Sequence, residues 1–261
     1  MSKVHAKKHL GQHFLTDQNI AKKIAESLTD KAASTTLEIG PGMGVLTKFL
    51  INKPAHKLVV VEIDRDSVAY LKTNFPQLSD NIIEGDFLKL NLHDYFATPF
   101  NIIGNFPYNI SSQILFKTID YRDQVPQLVG MFQKEVAERI AAGPGSKTYG
   151  ILSVILQAFY SIEYLFTVHE NVFDPPPKVK SGVIRLIRNN RVKLPCDEKL
   201  FIRIIKTGFN QRRKTLSNSL KSILLNLKPE NPVFRKRPEQ LSVDEFIELT
   251  QHIEELLAQN S

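Results

Sequence analysis

The chain has 261 residues, is 42% hydrophobic and carries a formal net charge of +7. This length and composition allow an apolar core without disulfide or metal staples, and they exclude disordered, collagenous and low-complexity chains. One cysteine, Cys196, excludes an internal disulfide, and because the chain shows neither a membrane span nor a secretory signal, we expect a cytoplasmic protein without membrane contact.

Short β-rich runs alternate with helical patterns over residues 19–190, and this alternation predicts a Rossmann-like α/β fold with a seven-stranded, mainly parallel sheet. The last two strands are expected to close the sheet as an antiparallel hairpin. The predicted strands are Thr36–Ile39, Lys57–Ile63, Asn81–Glu84, Phe100–Gly104, Leu128–Gln133, Phe159–Val168 and Val183–Arg188. The predicted helices are Ile20–Leu28, Val45–Ile51, Ser67–Asn74, Ser111–Ile119 and Lys134–Ala142.

The strand pattern stops near residue 190, where we place a domain boundary. Residues 1–190 form the α/β domain with a basic N-terminal arm, residues 1–18, and residues 191–261 form a small all-helical domain. Its predicted helices are Lys199–Phe209, Lys214–Leu225 and Val243–Ala258.

The net charge is uneven along the chain: residues 1–180 have a net charge of +1 and residues 181–261 have a net charge of +6. This asymmetry favours a polyanionic partner for the C-terminal part, with a solvated basic surface as the alternative.

The glycine-rich segment 40–44 lies between a predicted strand and a predicted helix, a context in which glycines let the backbone approach a ligand closely. Glu62 ends the next strand at the spacing of a carboxylate that binds ribose hydroxyls. Asp86 follows the third strand, where it can accept from an adenine amino group, and Phe87 can pack on the ring. The segment lacks the third glycine of the dinucleotide-binding pattern GxGxxG and the lysine of a Walker motif. These residues therefore fit S-adenosylmethionine better than NAD or ATP. Ordinary turns are the alternative.

The fourth strand runs into the tetrapeptide NFPY, residues 105–108, beside this predicted cofactor site. Together with QHFL at 12–15, EIGPGMG at 38–44, VEID at 61–64 and GDF at 85–87, it resembles the adenine-N6 ribosomal RNA methyltransferases. Two further stretches, FDPPPKVKSGV at 173–183 and FNQRRKTL at 209–216, narrow the resemblance to the bacterial small-subunit (16S) ribosomal RNA adenine dimethyltransferases. The motifs cover nearly the whole chain in the family's order.

The resemblance implies a class I methyltransferase that dimethylates two adjacent adenines in the 3′-terminal hairpin loop of 16S ribosomal RNA. The implied partner is the small (30S) subunit or its precursor, with a role in subunit biogenesis, and a monomer is expected. In this family position 13 is commonly Asn and position 106 commonly Leu, so His13 and Phe106 depart from the pattern. The resemblance implies cofactor contacts at His13, Leu15, Gly40, Glu62, Asp86 and Asn105. Their neighbours Gln12, Gly42, Ile63 and Phe87 complete the predicted cofactor site.

The tetrapeptide suits methylation of an exocyclic amine, whose lone pair is delocalised into the ring. The side-chain carbonyl of Asn105 and the backbone carbonyl of Phe106 can accept hydrogen bonds from the two N–H groups of the amine and so localise its lone pair. Pro107 rigidifies the turn, and Tyr108 offers a ring face to a flipped base. Phe173 is the predicted second stacking face opposite Tyr108, with a core role as its alternative.

Basic residues around the second C-terminal helix are the predicted RNA contacts, since phosphate contacts supply salt-dependent affinity. They are Lys206, Arg212, Arg213, Lys214 and Lys221. No metal site is predicted: His5, His9 and His13 would align on a helix, but neighbouring lysines would repel a cation.

Two other functions compete with this hypothesis. One is a non-catalytic RNA-binding assembly factor that keeps the fold; the intact residues Gly40, Glu62, Asp86 and Asn105 favour an active enzyme instead. The other is a large-subunit ribosomal RNA adenine methyltransferase that confers resistance. The FNQRRKTL and DPPPKVKSG stretches favour the small-subunit enzyme.

Overall fold

The computed structural model describes residues 4–29, 33–53, 56–225, 227 and 229–259, so residues 1–3 of the predicted basic arm lie outside the described residues. The chain divides into two compact units. The first comprises the chain up to Ala137 together with Ser161–Arg188. The second comprises Glu138–Tyr160 and the chain from Asn189 onward. The last boundary between the units, after Arg188, lies close to the boundary predicted near residue 190. The segment Glu138–Tyr160, which we expected in the first domain, belongs to the second unit.

Most of the strands and helices lie close to the predicted positions. The strands are β1 (Phe14–Leu15), β2 (Thr35–Ile39), β3 (Lys57–Glu62), β4 (Ile82–Glu84), β5 (Phe100–Asn105), β6 (Gln127–Gln133), β7 (Tyr160–Val168), β8 (Phe173–Asp174) and β9 (Ser181–Arg188). The α-helices are α1 (Gln18–Glu26), α2 (Thr47–Leu50), α3 (Arg65–Asn74), α4 (Ser111–Asp120), α5 (Lys134–Ala141), α6 (Ile151–Gln157), α7 (Glu198–Asn210), α8 (Leu216–Ser219), α9 (Lys221–Leu224) and α10 (Val243–Ala258).

Within the described residues, seven strands form one sheet in the order β4-β3-β2-β5-β6-β9-β7. The first five strands in this order run parallel to their neighbours, and β9 runs antiparallel to β6 with Leu186 opposite Leu128. The predicted closing strands are therefore present, with the later one inserted beside β6. Because parallel strands end at one edge, the glycine loop, Glu62, Asp86 and Asn105 are brought to that edge.

The central strands carry the sheet's core. Val59, Val60 and Val61 of β3 are consecutive and all buried, so β3 is covered on both faces of the sheet. Leu37 and Ile39 of β2 are also buried, on one face. Full burial of such a side chain contributes about 1.5–3 kcal/mol. This packing holds the strand ends rigidly and so fixes the positions of the polar residues that follow them.

A second ladder, which the sequence did not reveal, joins the N-terminal arm to the proline-rich loop. Strand β1 pairs antiparallel with β8, placing Phe14 opposite Asp174 and Leu15 opposite Phe173. The Thr16 backbone N–H extends it by donating to the carbonyl of Val172 at 2.8 Å. Two-residue strands are too short to produce a detectable alternation of polar and apolar residues.

In the second unit, α6, α7 and α10 pack on one another. Helix α6 was not predicted, because its sequence ILSVILQ is short and mostly apolar and shows no clear helical period. The single helix predicted over Lys214–Leu225 is wrong: it is broken into α8 and α9 at Leu220, whose backbone departs from helical geometry. None of the helices in the described part of the chain has the length and apolar character needed to cross a membrane.

Candidate functional site

A cleft at the carboxyl edge of the sheet collects nearly all of the predicted cofactor residues. Those that line it are Gln12, His13, Gly40, Gly42, Glu62, Ile63, Asp86, Phe87 and Asn105. Leu15 is the exception. It is 4% exposed and lies in a smaller neighbouring cavity that Gly40 and Asn105 also line.

The glycine loop between β2 and α2 depends on backbone conformations that other residues rarely adopt. Gly40 has φ +66°, and a Cβ there would meet nothing within 4 Å. Gly42 has φ +54°, and a Cβ there would come within 2.8 Å of the Phe14 ring. The first glycine therefore leaves open space at the cleft, and the second allows the N-terminal arm to lie against the loop.

Glu62 is the buried acid of the cleft. One carboxylate oxygen accepts from the Gly42 N–H at 3.0 Å, and the other accepts from the N–H groups of Ile63 and Asp64 at 2.9 Å each. Burial raises the pKa of Glu62, although the three backbone donors oppose the rise. The carboxylate therefore fastens the glycine loop to the end of β3 while lining the cleft.

Asp86 and Phe87 form the opposite wall. Asp86 caps the short 3₁₀ turn Phe87–Lys89, accepting from the Leu88 N–H at 3.0 Å. The Phe87 ring is buried, so it forms a fixed wall, whereas Ile63 is 49% exposed and presents an apolar surface. A planar ring can be held between such surfaces, next to a carboxylate acceptor.

The side-chain amide of Asn105 is held by the N-terminal arm. Its Nδ2 donates to the backbone carbonyl of His13 at 2.9 Å. Since a carbonyl only accepts, this contact orients the amide group and leaves Oδ1 as an acceptor. The sequence predicted such an acceptor at this position but not the contact that orients it.

The Phe106 side chain faces the core. It is 1% exposed and packs edge-to-face on Phe132, with ring centroids 5.3 Å apart. A Cβ at Gly130 would lie 2.3 Å from this ring, and one at Gly104 would lie 2.6 Å from it. The absence of side chains at these two glycines explains how the chain accommodates Phe where the family commonly has Leu. Pro107 follows at the cleft, where it too is a lining residue.

Tyr108 is held from two sides. Its hydroxyl lies 2.6 Å from the Ser181 hydroxyl, and its ring stacks on that of His13 with centroids 5.8 Å apart. Burial raises the pKa of Tyr108, which therefore stays neutral at physiological pH. His13 in turn donates from Nδ1 to the Pro175 carbonyl at 2.7 Å, so the residue that departs from the family pattern bridges the arm to the proline-rich loop.

Phe173 does not lie where the sequence placed it. Its side chain is 4% exposed and belongs to the hydrophobic core together with Leu15, its partner in the β1–β8 ladder. It is not one of the residues lining the cleft. A ring packed in the core offers no face to a base, so the structure does not support the predicted stacking role opposite Tyr108.

An ionic clasp, which the sequence did not indicate, fastens the arm over the end of β3. The Lys7 ammonium pairs with Asp64 and lies 2.8 Å from an Asp66 carboxylate oxygen. Gln12 accepts from the Lys7 N–H at 2.7 Å and donates to Asp64 at 3.4 Å. Burial opposes ionisation of Asp64, yet these hydrogen bonds and that of Ser67 lower its pKa overall. Gln12 thus holds the arm in addition to lining the cleft.

The predicted RNA contacts lie in the second unit. Lys206, Arg213, Lys214 and Lys221 are exposed. Arg212 is only partly exposed; it donates to the Ser146 carbonyl at 3.0 Å and lies 4.0 Å from a Glu239 carboxylate oxygen. It therefore holds two loops of its own unit together, and the exposed residues are better suited to contact a partner.

Among the residues that the structure describes, no group of three His, Cys, Asp or Glu side chains is placed to hold a metal ion. His5, His9 and His13 do not share a helix face, since only the short 3₁₀ turn Lys8–Leu10 is helical there.

A mainly parallel sheet with an antiparallel strand beside β6, a glycine loop after β2 and an acid at the end of β3 define a class I methyltransferase. A dimethyladenosine transferase from Plasmodium falciparum has the same fold, with a TM-score of 0.78, 27% identity and coverage of 94% of this chain and 98% of that one. The 23S rRNA methyltransferase ErmE shares the fold at a TM-score of 0.65 and 24% identity, covering 91% of this chain and 99% of that chain.

The chain belongs to the ribosomal RNA adenine dimethylase family, whose model matches residues 3–258. Curated relatives include the Ribosomal RNA small subunit methyltransferase A of Cytophaga hutchinsonii, 64% identical over 96% of this chain and 98% of the relative. The protein of the same name in Flavobacterium johnsoniae is 62% identical over 97% of this chain and 98% of the relative. The predicted family, fold and enzyme class are confirmed, and neither competing function is favoured.

Proposed function

We propose that this chain uses S-adenosylmethionine to dimethylate N6 of two adjacent adenines in the 3′-terminal hairpin loop of 16S ribosomal RNA. The substrate is the small subunit or its precursor, and the modification contributes to subunit biogenesis. The observation that carries the proposal is the oriented amide of Asn105 in the same cleft as the buried Glu62 carboxylate. The two relatives described above, which are more than 60% identical to this chain, are named as methyltransferases of the small-subunit RNA.

The cleft residues fit this cofactor. Open space at Gly40 admits a ligand close to the backbone, and the Glu62 carboxylate can accept from ribose hydroxyls. Asp86 and the apolar surfaces of Ile63 and Phe87 suit an adenine. When bound, the cofactor supplies an electrophilic methyl group on a positively charged sulfur.

The tetrapeptide prepares the nucleophile. Asn105 Oδ1 and the Phe106 backbone carbonyl accept hydrogen bonds from the two N–H groups of the target amine. These contacts localise the lone pair of N6 and direct it toward the methyl group. A methylated N6 would carry a surplus proton, and these carbonyls would hold its N–H groups while the proton is lost to water. Catalysis rests mainly on positioning, because no stronger base is required.

Tyr108 receives the target base. An adenine must leave its stack to enter the cleft, and base–aromatic stacking offsets this cost by about 1–3 kcal/mol. Since one face of Tyr108 is covered by His13, the base stacks on the other. After the first transfer N6 retains one N–H, so one carbonyl contact still orients it for the second transfer.

The exposed basic residues of the second unit supply affinity for the RNA backbone, and we propose that Lys206, Arg213, Lys214 and Lys221 contact phosphates. Structured RNA is recognised mainly by shape, which suits such sequence-independent contacts. We further propose that the protein acts as a cytoplasmic monomer.

Transfer of a tritiated methyl group tests the proposal. Purified enzyme is incubated with small subunits that lack the modification, and large subunits serve as the control substrate. We expect label in the small subunit only, at N6,N6-dimethyladenosine after nuclease digestion. Label confined to the large subunit would overturn the choice of RNA, and absence of label from both would favour the assembly factor.

A further inference from the structure

Lys117 is a partly buried ammonium group outside the residues considered so far. It projects from α4 and donates to the backbone carbonyls of Phe87 at 2.7 Å and Leu88 at 3.1 Å, and also to that of Leu90. A lysine has three N–H donors and no acceptor. All three donors of Lys117 are therefore directed at one short stretch of main chain.

That stretch belongs to the wall of the cleft. Gly85, Asp86, Phe87 and Leu88 all line it. The Lys117 ammonium also lies over the Phe87 ring, 5.1 Å from its centroid. Its contacts therefore set the path of the backbone from Asp86 onward, as well as the position of the ring that forms the wall.

Tyr121, the residue that directly follows α4, makes a second attachment to the same loop. Tyr121, four residues after Lys117, donates from its hydroxyl to the Asn91 side chain at 3.0 Å and accepts from the Leu92 N–H at 3.2 Å. These contacts lie beyond the lining residues. Lys117 and Tyr121 thus hold the loop at two places, and the contacts of Lys117 are the ones at the cleft.

Lys117 differs from its neighbour Lys89. The Lys89 side chain is 85% exposed and its ammonium lies 3.9 Å from an Asp86 carboxylate oxygen. Burial lowers the pKa of Lys117, and the nearby carboxylate of Asp86 opposes this effect. Both lysines place a positive charge near Asp86, but of the two side chains only that of Lys117 is seen to donate to main-chain carbonyls of the loop.

We propose that Lys117 is a positioning residue for the adenosine half of the cofactor, acting through the conformation of the Asp86–Leu88 wall. This inference rests on the proposed function, because it requires S-adenosylmethionine to bind in this cleft. Removing the three hydrogen bonds frees the wall to adopt other conformations, which lowers the fraction of the protein that is ready to bind. The tetrapeptide and the methyl acceptor are left in place.

Isothermal titration calorimetry and steady-state kinetics on Lys117→Met and Lys89→Met test it. Each variant loses one positive charge near Asp86 and keeps a similar length. We expect Lys117→Met to raise the Kd of S-adenosylmethionine about tenfold, with KM for the cofactor rising in parallel and kcat at saturating cofactor within about twofold of wild type. The Kd of 5′-methylthioadenosine, which lacks the amino acid, should rise by the same factor. Lys89→Met should resemble wild type.

If Lys117→Met does not fold, Lys117→Arg keeps the charge but cannot direct three donors in the same way, and it should show a smaller rise in Kd. An unchanged Kd in the folded variant, equal losses in both lysine variants, or a fall in kcat at unchanged KM would overturn the inference. If the wild type itself does not bind S-adenosylmethionine, the proposed function fails and this inference with it. Wild-type binding with an unaltered variant overturns the inference alone.

Discussion

The tetrapeptide Asn105–Tyr108 and the basic segment Phe209–Lys214 present opposite kinds of surface. In the tetrapeptide, Asn105 is bonded to the arm, Phe106 is packed in the core and Tyr108 is held at both ring and hydroxyl. In the basic segment, by contrast, Arg213 and Lys214 are exposed charges.

The difference reflects two physical tasks. Methyl transfer depends on holding atoms in a fixed geometry, so the side chains around it are tied down before the substrate arrives. Binding a polyanion depends on charge near phosphates and tolerates mobile side chains. Substitutions in the tetrapeptide should therefore reduce turnover, whereas substitutions in the basic segment should alter affinity and its dependence on salt.

Asn105→Ala should have the largest effect. It removes the acceptor that we propose for the target amine, so we expect kcat to fall by about 10² or more, the scale seen when one positioned polar contact to a reacting group is lost. The Kd of S-adenosylmethionine should rise far less than kcat falls, because Asn105 is one of many residues that line the cleft. Methyl transfer to small subunits and calorimetry measure the two quantities. Near-normal turnover would refute the role of Asn105 in the chemistry.

Glu62→Gln should come next and should act on the cofactor. Hydrogen bonds to charged groups contribute about 1.5–3 kcal/mol, so we expect the Kd of S-adenosylmethionine to rise by about 10–100-fold. Since burial raises the pKa of Glu62, wild-type affinity should weaken as the pH falls through that raised value and the carboxylate is protonated. The variant should lack this dependence. Identical pH profiles in calorimetry would contradict the assignment.

Tyr108→Phe and Ser181→Ala test whether the hydroxyl contact positions the ring. Each removes one partner of the same hydrogen bond, so we expect each to lower kcat/KM for the RNA by roughly three- to tenfold, in line with about 1 kcal/mol for a net hydrogen bond. The double variant should be no worse than either single one. Fully additive losses would show that the two hydroxyl groups act separately.

The sequence predicted the sheet, and the placement of Gly40, Glu62 and Asp86 at one edge of it, because both follow from local patterns. Continuous Val and Ile runs mark buried parallel strands, and the residues after such strands share one edge. This reasoning placed Gly40, Glu62 and Asp86 at the cleft without any tertiary contact being known. The break in the helix at Leu220 was missed, because nothing in the local composition signals it.

Contacts between distant segments could not be predicted in this way. The Lys7 clasp, the Asn105–His13 bond and the β1–β8 ladder each join residues far apart in the chain. Phe173 shows the same limit, since a Phe beside a proline-rich loop is equally suited to stacking or to the core. Only its pairing with Leu15 decides between them.

Arg213→Ala combined with Lys214→Ala should have the smallest effect at low salt and the clearest effect on the salt dependence. If both side chains neutralise phosphates, the slope of log K against log salt should become shallower by about 1.4–1.8, for single-stranded and duplex contacts respectively. Turnover on bound RNA should be unchanged, because neither residue lies at the cleft. Arg212→Ala is the matched comparison: by losing the Ser146 and Glu239 contacts it should lower Tm more than the double variant does. An unaltered slope in the double variant would show that Arg213 and Lys214 do not contact phosphates and that the RNA contacts must be sought elsewhere on the second unit. The prediction for the tetrapeptide would stand, because the fixed geometry of that site and the charge of the basic segment contribute separately.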